Sequence, residues 1–474
     1  MLMRRRTHGL GARSLASQTT LWLVLLTFGA ASLRFFHVGL KSFWADEAFS
    51  ITLVQFGWAD FRHTLVSSEA NMALYYLLLR LWSHISDTPS FVRALSVLAG
   101  VATVPAIYFA GESLFSRRAG IIAAVLLSVN VFHISYSQEA RSYSLLVLLV
   151  TCSSLFFVRS VKSQGRTGGV WHILTSGAAL YAHFFSALVL LAQLVSWMLL
   201  PRKFRRGSQL RDMLAIAIIG LPLLVFIVSQ STSHLYWVQH PTAKEVYHLF
   251  TYFTGSGLKF LLFLLAITLA SREWWLHRHV AGALERWSFV FVAFWLLLPI
   301  LLTLVVSHWQ PILSPRFLLI CLPAALLLFA LGLALIRPKW LCFAMLVVLV
   351  CSSLVAVRSF YRKPGHEEWK AAISYLATNA KPDDVLVFSS SYCRFPFDYN
   401  LRMSGMQLPQ MRVDLEDTHG IGIVSTQAQH LWVICEKTDV VGVPQFRLRR
   451  ALVFPGVNLQ EFESERLKRP AGEN

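Results

Sequence analysis

Residues 287–306 read WSFVFVAFWLLLPILLTLVV, twenty residues with no charge among them. A hydrocarbon core of ~30 Å takes about 20 apolar residues as a helix, so this run is a membrane span. Outward from it, apolar runs recur at 21–38, 92–113, 119–135, 142–159, 170–183, 185–200, 212–230, 257–271, 317–336 and 340–357. The whole chain agrees: 474 residues, 55% hydrophobic, only 14% charged, with a mean hydropathy of +0.54. Soluble domains carry roughly 25% charge, so an ordinary cytosolic protein and a disordered chain are both excluded. The net charge of +18 would suit nucleic acid, but the bases lie in short clusters between apolar runs, as in membrane proteins. The expected fold is an α-helical polytopic membrane bundle of about eleven spans.

The loops orient it. With the N-terminus inside, 19 Lys and Arg fall in cytoplasmic segments (Arg4, Arg5, Arg6, Arg13, then 117–118, 159–166, 202–211, 272–286 and 337–339). The outer loops 39–91, 135–141, 231–256 and 307–316 hold six. The positive-inside rule selects this orientation. The stretch 170–200 must then cross twice as two short helices with His183 at the outer turn. A single tilted span there would reverse everything after it. Arg4–Arg6 ahead of an apolar run, and small Ala30-Ala31-Ser32, also fit a cleaved signal. The apolar stretch runs on through Phe35 and Phe36, and the anchored reading is preferred.

Residues 358–474 differ in composition. They hold 14 of the 25 acidic residues and 15 bases, nearly neutral. His366–Ala380 reads as an amphipathic helix, Lys381-Pro382-Asp383-Asp384 as a turn, and 385–388, 431–435 and 451–454 as strands. The expected organisation is a membrane domain at 1–357 and a small extracytoplasmic α/β domain at 358–474. Six cysteines show no C-x-x-C spacing. Those in spans read as small hydrophobes. Cys393 and Cys435, in the outer domain, could form a disulfide.

Of eleven acidic residues before 358, seven lie in outer loops: Asp46, Glu47, Asp60, Glu69, Asp87, Glu139 and Glu245. Ionisable groups beside a bilayer are costly and often functional, so the outer face is where chemistry is expected. Phe43-Trp44-Ala45-Asp46-Glu47-Ala48-Phe49 places adjacent carboxylates on successive helical positions, where one can face a cavity while its neighbour pairs or caps. A carboxylate there can act as general base toward a hydroxyl. The pair alone also fits a capped juxtamembrane helix with Trp44 as headgroup anchor. Residues 69–82 form a helix too short to span, with Glu69 ahead of Tyr75 and Tyr76; an amphipathic surface helix is the plainer reading. In Gln138-Glu139-Ala140-Arg141-Ser142-Tyr143, the Arg fork suits a phosphate, although an ordinary capped loop would look similar.

The order and spacing of these blocks carry a resemblance. F-W-x-D-E-A at 43–48, the Glu69 to Tyr76 helix, R-x-L-S-x-x-x-G at 93–100, Q-E-A-R-S-Y at 138–143, Tyr181-Ala182-His183-Phe184-Phe185 and Ser314-Pro315-Arg316-Phe317 follow one another. Together they resemble the GT-C type glycosyltransferases that use polyprenyl-phosphate sugars. Within that type they resemble the bacterial relatives of protein O-mannosyltransferases and the aminoarabinose transferases of lipid A, over about residues 15–357. The resemblance implies Asp46 as catalytic base with Glu47 in support, and Glu69 in the lipid-phosphate region or a metal site. The chain departs from the pattern at Asn71-Met72, where many relatives have Pro-Pro, and at Phe317, where many have Tyr.

The implied chemistry needs no nucleotide, and no Walker or dinucleotide motif is present. An acceptor hydroxyl would attack the anomeric carbon while Asp46 takes its proton. Arg141 and Arg316, with Glu139 and Glu69 nearby, would meet the departing phosphate. Tyr75, Tyr143 and His183 are possible cavity residues. A divalent metal could take part of the electrostatic work; no other cofactor is implied. Expected partners are a polyprenyl-phosphate-linked sugar, a glycan, lipid or protein acceptor and membrane lipids, not nucleic acid. The rival readings are a secondary transporter or lipid-linked sugar flippase, which would carry mid-span acids or matched broken helices, and a non-catalytic assembly subunit.

Overall fold

The computed structural model describes residues 4–162, 167–229, 240–277, 279, 282–414, 428–435, 443 and 445–465. Arg166 and Arg278, counted above on the inner side, lie outside the described residues, as does Gln230, which ends one expected span. Each of the eleven apolar runs is helical. In order they are α1 (Arg4–Phe35), α5 (Pro89–Leu114), the pair α6 (Arg117–Ser128) and α7 (Val131–Ser137), α8 (Tyr143–Lys162), α9 (Thr167–Ala182) and α10 (Ser186–Met198). Then follow α11 (Gly207–Ser229), α13 (Gly257–His277), α14 (Ala283–Val306), a 3-10 turn Phe317–Cys321 leading into α15 (Leu322–Leu335), and α16 (Lys339–Arg362). Among the described residues seven helices are long and apolar enough to cross a membrane, or eight with α6 and α7 as one bent span. The protein is a multi-pass membrane protein.

The stretch 170–200 does divide at His183-Phe184-Phe185. Its helices have 16 and 13 residues, about 24 Å and 20 Å at 1.5 Å per residue, both shorter than the hydrocarbon core. Side chains hold them to α8. His172 Nε2 meets Gln193 Oε1 at 2.8 Å, Gln193 Nε2 donates to Ser153 Oγ at 3.0 Å, and Ser153 meets Ser176 at 2.8 Å. Such hydrogen bonds are the usual polar glue between membrane helices.

The chain separates into two compact units. One comprises Met1–Phe36, Arg62–Leu78 and Arg93–Phe360; the other His37–Phe61, Leu79–Val92 and Tyr361–Asn474. The second unit therefore takes in much of loop 39–91, which the division at 357/358 leaves with the membrane domain.

In the first unit α6 and α7 meet at 61°. Asn130 makes the break: its Oδ1 caps α7 by accepting from His133 N at 2.9 Å, and its Nδ2 donates to Phe253 O at 2.8 Å. The fully buried Arg34 reaches the carbonyls freed at the end of α6, donating to Leu127 O at 3.1 Å and Ser128 O at 3.2 Å. Beyond α7, α5 packs closely on the start of α8.

The second unit holds α2 (Ala45–Gln55), packed by α18 (Ser391–Ser404), with α17 (Trp369–Asn379) beside it and a five-stranded sheet. The strands are β1 (Val385–Phe388), β2 (Met411–Asp414), β3 (His430–Cys435), β4 (Phe446–Phe454) and β5 (Val457–Ser464), in the order β2-β1-β3-β5-β4. β1 runs parallel to both neighbours, and all four of its residues are buried, as its unbroken Val-Leu-Val-Phe run requires. β4 and β5 form a hairpin turned by Gly456, whose φ of +70° suits glycine. The expected helix and three strands are all present; β2 and β5 were not foreseen. Cys393 and Cys435 are not bonded to each other. Cys393 packs with Trp369 and Phe397 against one face of the sheet, Cys435 with Val433 and Phe446 on the opposite face, so the backbone keeps the sulfurs apart.

The close approach at α5 is testable. A Cβ on Gly100 would strike Ser137 Oγ and lie 2.9 Å from Ser144 Oγ. Gly100→Ala is expected to destabilise the protein by about 1–3 kcal/mol as overpacking, and Gly100→Ala/Ser137→Gly to recover part of it. Thermal unfolding in detergent measures both.

Candidate active site

In the first unit the expected residues gather around the 138–143 block. Arg93, Ser96 and Gly100 recur at helical spacing on α5, so one face of that helix meets the block. Ser96 Oγ donates to Arg141 O at 3.1 Å, and Tyr75 OH lies 3.0 Å from Ser96 Oγ. Ser96 spends its single proton on the carbonyl, so Tyr75 is the donor in that pair. Gln138 donates to Arg34 O and Phe36 O, each at 2.8 Å, tying the block to the end of α1.

The Arg141 side chain is buried, and its Nη1 donates to Tyr76 OH at 3.2 Å. Tyr76 in turn donates to Glu69 Oε2 at 3.0 Å. A run of hydrogen bonds thus links Arg141 and Glu69 through a phenol. Tyr76 is the linking residue, while Tyr75, the expected cavity residue, donates to the Ser96 hydroxyl; both rings are fully buried. The helix signal could have separated them: Glu69 and Tyr76 are seven apart, two turns on one face.

Arg316 lies with its guanidinium carbon 6.0 Å from the Tyr143 ring centroid and 5.3 Å from that of Phe317. His183, in the turn between α9 and α10, sits 5.2 Å from the Phe317 ring and 6.1 Å from the Tyr143 ring, centroid to centroid. Burial, then the positive charges of Arg141 and Arg316, push its pKa down to about 3. Its Nδ1 accepts from Phe185 N at 3.3 Å, which leaves the proton of the neutral ring on Nε2. His183, Tyr143, Arg141 and Arg316 therefore share one neighbourhood, with two cations acting on one neutral imidazole. Glu139, also buried, lies in the same block.

In the second unit Asp46 and Glu47 occupy the first turn of α2, the end of a helix that favours negative charge. Glu47 is fully buried and Asp46 half-buried, the divergence expected of consecutive helical positions. Trp44 is extended and offers no side-chain cap; Glu367 Oε2 accepts from Ala45 N at 3.0 Å instead. Asn400 accepts from Phe43 N at 3.3 Å and donates to Phe43 O at 3.0 Å. Tyr392 OH donates to Asp46 Oδ1 at 2.5 Å. Glu367, Asn400 and Tyr392 were not foreseen. One signal was available for Tyr392: it follows the carboxyl end of a parallel strand, where α/β folds commonly place functional residues.

A cavity of about 20 Å³ opens beside the α6–α7 break, lined in part by Asn130, Thr254, Lys259 and Ser353. None of the expected site residues lines it. Among the described residues no group of three His, Cys, Asp or Glu side chains is placed to hold a metal ion.

Residues 72–237 match the family model described as dolichyl-phosphate-mannose-protein mannosyltransferase. Sequence comparison with curated proteins finds no match. In structure the chain is similar to ArnT from Cupriavidus metallidurans in the apo state, with a TM-score of 0.57 at 12% identity over 96% of this chain and 100% of that one. The same protein bound to undecaprenyl phosphate gives 0.55 at 13% identity, over 93% and 98%. The apo oligosaccharyltransferase of Archaeoglobus fulgidus gives 0.53 at 11% identity, over 86% and 69%. The class defined here is a helical membrane bundle with a small sheet at its C-terminus. Its fold is GT-C-like.

The state of His183 has a measurable consequence. Above its ordinary pKa of 6.5 the ring is neutral both folded and unfolded, so it contributes nothing to pH dependence. As pH falls from 6.5 toward 3, the unfolded chain binds a proton that the folded chain refuses, and stability declines. Melting temperature measured from pH 7 to pH 4 should therefore fall more steeply for the wild type than for His183→Gln.

Proposed function

We propose that the protein transfers a sugar from a polyprenyl-phosphate donor to an acceptor hydroxyl at the outer face of the plasma (inner) membrane, with inversion. The observation that carries this reading is the pairing of Arg141 and Arg316 beside His183, in a neighbourhood walled by Tyr143 and Phe317. A guanidinium holds its charge at any physiological pH and presents a planar fork of N–H donors that matches phosphate oxygens. A lipid phosphate is the anion a membrane protein meets there. The likeness to a protein that binds undecaprenyl phosphate supports the choice, as does the mannosyltransferase family match.

The chemistry then follows from single displacement. The acceptor oxygen bonds to the anomeric carbon, and its proton passes to Asp46. The bond from that carbon to the phosphate oxygen breaks, and its electron pair leaves with the polyprenyl phosphate. Arg141 and Arg316 stabilise the charge that develops on the departing phosphate, and the Tyr76–Glu69 chain fixes the Arg141 fork. Glu47, buried at the next position, supports the helix turn that presents Asp46. The donor sugar is a mannose-like hexose or a pentose, and the acceptor is a glycan, lipid or protein hydroxyl. No step here is routed through a metal ion.

Orientation is part of the proposal: the loop bearing Asp46, the Arg141 block, Arg316 and the segment after residue 357 lie outside the cytoplasm. The 19-to-6 distribution of basic residues supports it.

Purified protein incubated with a panel of polyprenyl-phosphate sugars tests the reaction. Asp46→Asn should lower turnover by about 10²–10⁴-fold with expression and melting temperature unchanged; near wild-type turnover would end the assignment. Arg141→Ala and Arg316→Ala should each weaken donor binding, with Lys restoring part of it because charge is kept and the fork lost. Donor titrations unchanged in both Ala variants would remove them from the site. Alkaline phosphatase fused after Asn474 should be active, and a fluorescent protein that matures only in the cytoplasm should be dark there.

A further inference from the structure

Tyr392 is the second residue of α18, which two residues separate from β1, and its phenol donates to Asp46 Oδ1 at 2.5 Å. That distance belongs to the short hydrogen bonds between a hydroxyl and an ionised carboxylate. The ring lies 6.4 Å from Phe49 and 6.1 Å from Phe395, centroid to centroid. Phe49 is three residues after Asp46 on α2, so it stands on the same face of that helix. The aromatic neighbours and the hydrogen bond thus hold Tyr392 at two points of one helix face. Tyr392 remains 37% exposed, so the approach to the carboxylate is not closed by a buried ring.

A terminal carboxylate torsion is broad and can turn either oxygen toward a substrate. A donor fixed on one oxygen removes that freedom and favours the ionised form. We infer that Tyr392 is a positioning residue for Asp46: its phenol holds Oδ1, and so sets the orientation in which the carboxylate takes the proton of the acceptor hydroxyl. The inference rests on the reading of Asp46 as the base. In the transfer step the acceptor proton moves to the Asp46 carboxylate, and Tyr392 keeps its own proton. The C-terminal segment then contributes to catalysis through a specific side chain. Other charged groups on the elements around this turn are Glu47 on α2 itself, His366 and Glu367 ahead of α17, and Arg394, Asp398 and Arg402 on α18. Arg394 is engaged by Asp398 and Asp414, and Arg402 by Asp87. Glu367 caps α2, and the His366 ring lies tilted at 43° against Trp44, centroids 5.2 Å apart.

The experiment is the pH profile of transfer by the full-length protein. Tyr392→Phe removes only the donor. Its acid limb should move up by about 0.5–1 pH unit, turnover at neutral pH should fall about tenfold, and the KM for the donor should be unchanged. Tyr392→Gln, which restores an N–H donor, should bring the limb partly back. A merely structural role would lower the amount of active protein at every pH and leave the limb in place, and an unmoved limb overturns the inference. If Tyr392→Phe does not fold, Tyr392→Leu, which also lacks the donor, is read in the same way. Asp46→Asn separates the two readings: its retained activity would defeat the base assignment. Loss of activity in Asp46→Asn with an unmoved limb in Tyr392→Phe would defeat the role of Tyr392 alone.

Discussion

A guanidinium with no exposed surface governs the geometry of the first unit. When α6 stops at Ser128, its last carbonyls lose their helical partners, and in apolar surroundings water cannot replace them. Arg34 supplies the missing donors to Leu127 and Ser128, and its Nη2 also reaches His133 Nδ1 at 2.8 Å. Arginine can only donate, so that imidazole nitrogen accepts. The helix break and the cation thus support each other: Arg34 adds a donor to Leu127 O, which otherwise has Asn130 N at 3.3 Å, and reaches Ser128 O, while the break supplies the cation with two of its acceptors. The bend sends α7 off at 61° and delivers Ser137 to α5 and Gln138 to the end of α1. Only then does Arg141 lie where Ser96 can hold its carbonyl and Tyr76 its side chain.

How much of this was readable follows from the range over which each interaction acts. The spans were legible because each needs only a local run of apolar residues, and the division at His183 follows from the length of 170–200. β1 was legible as four consecutive apolar residues, and α17 as an amphipathic turn pattern. β2, a four-residue edge strand with one buried residue, has too little pattern to see. β5 reads as a charged stretch because Glu461 and Glu463 interrupt it; its pairing with β3 and β4 is what makes it a strand. The disulfide expectation failed for a related reason. The cysteines are compatible in compartment, but the parity of side chains across a sheet is a property of the paired strands.

The site shows the same division. Asp46, Glu47, Arg141 and Arg316 stand out as charges in apolar neighbourhoods. The residues that orient them do not, because a tyrosine or an asparagine in a soluble-looking segment is unremarkable. Tyr392 and Asp46 are separated by 346 positions, and Asn400 and Phe43 by 357. No periodicity links such partners. Phe317 is a case in point: its ring packs on His183 and under Arg316.

The two halves of the proposed chemistry are tuned by different means. Around Arg141 and Arg316 the imidazole is kept neutral by burial and by the cations themselves, so the positive potential offered to a phosphate does not vary with pH over the physiological range. Guanidinium groups hold their charge throughout. Asp46 is the opposite case: a half-buried carboxylate whose useful state depends on its hydrogen bonds. A fixed electrostatic site for the leaving group and an adjustable one for the acceptor proton suit a single displacement. The leaving group needs constant charge compensation, whereas the base must both hold and release a proton within each turnover.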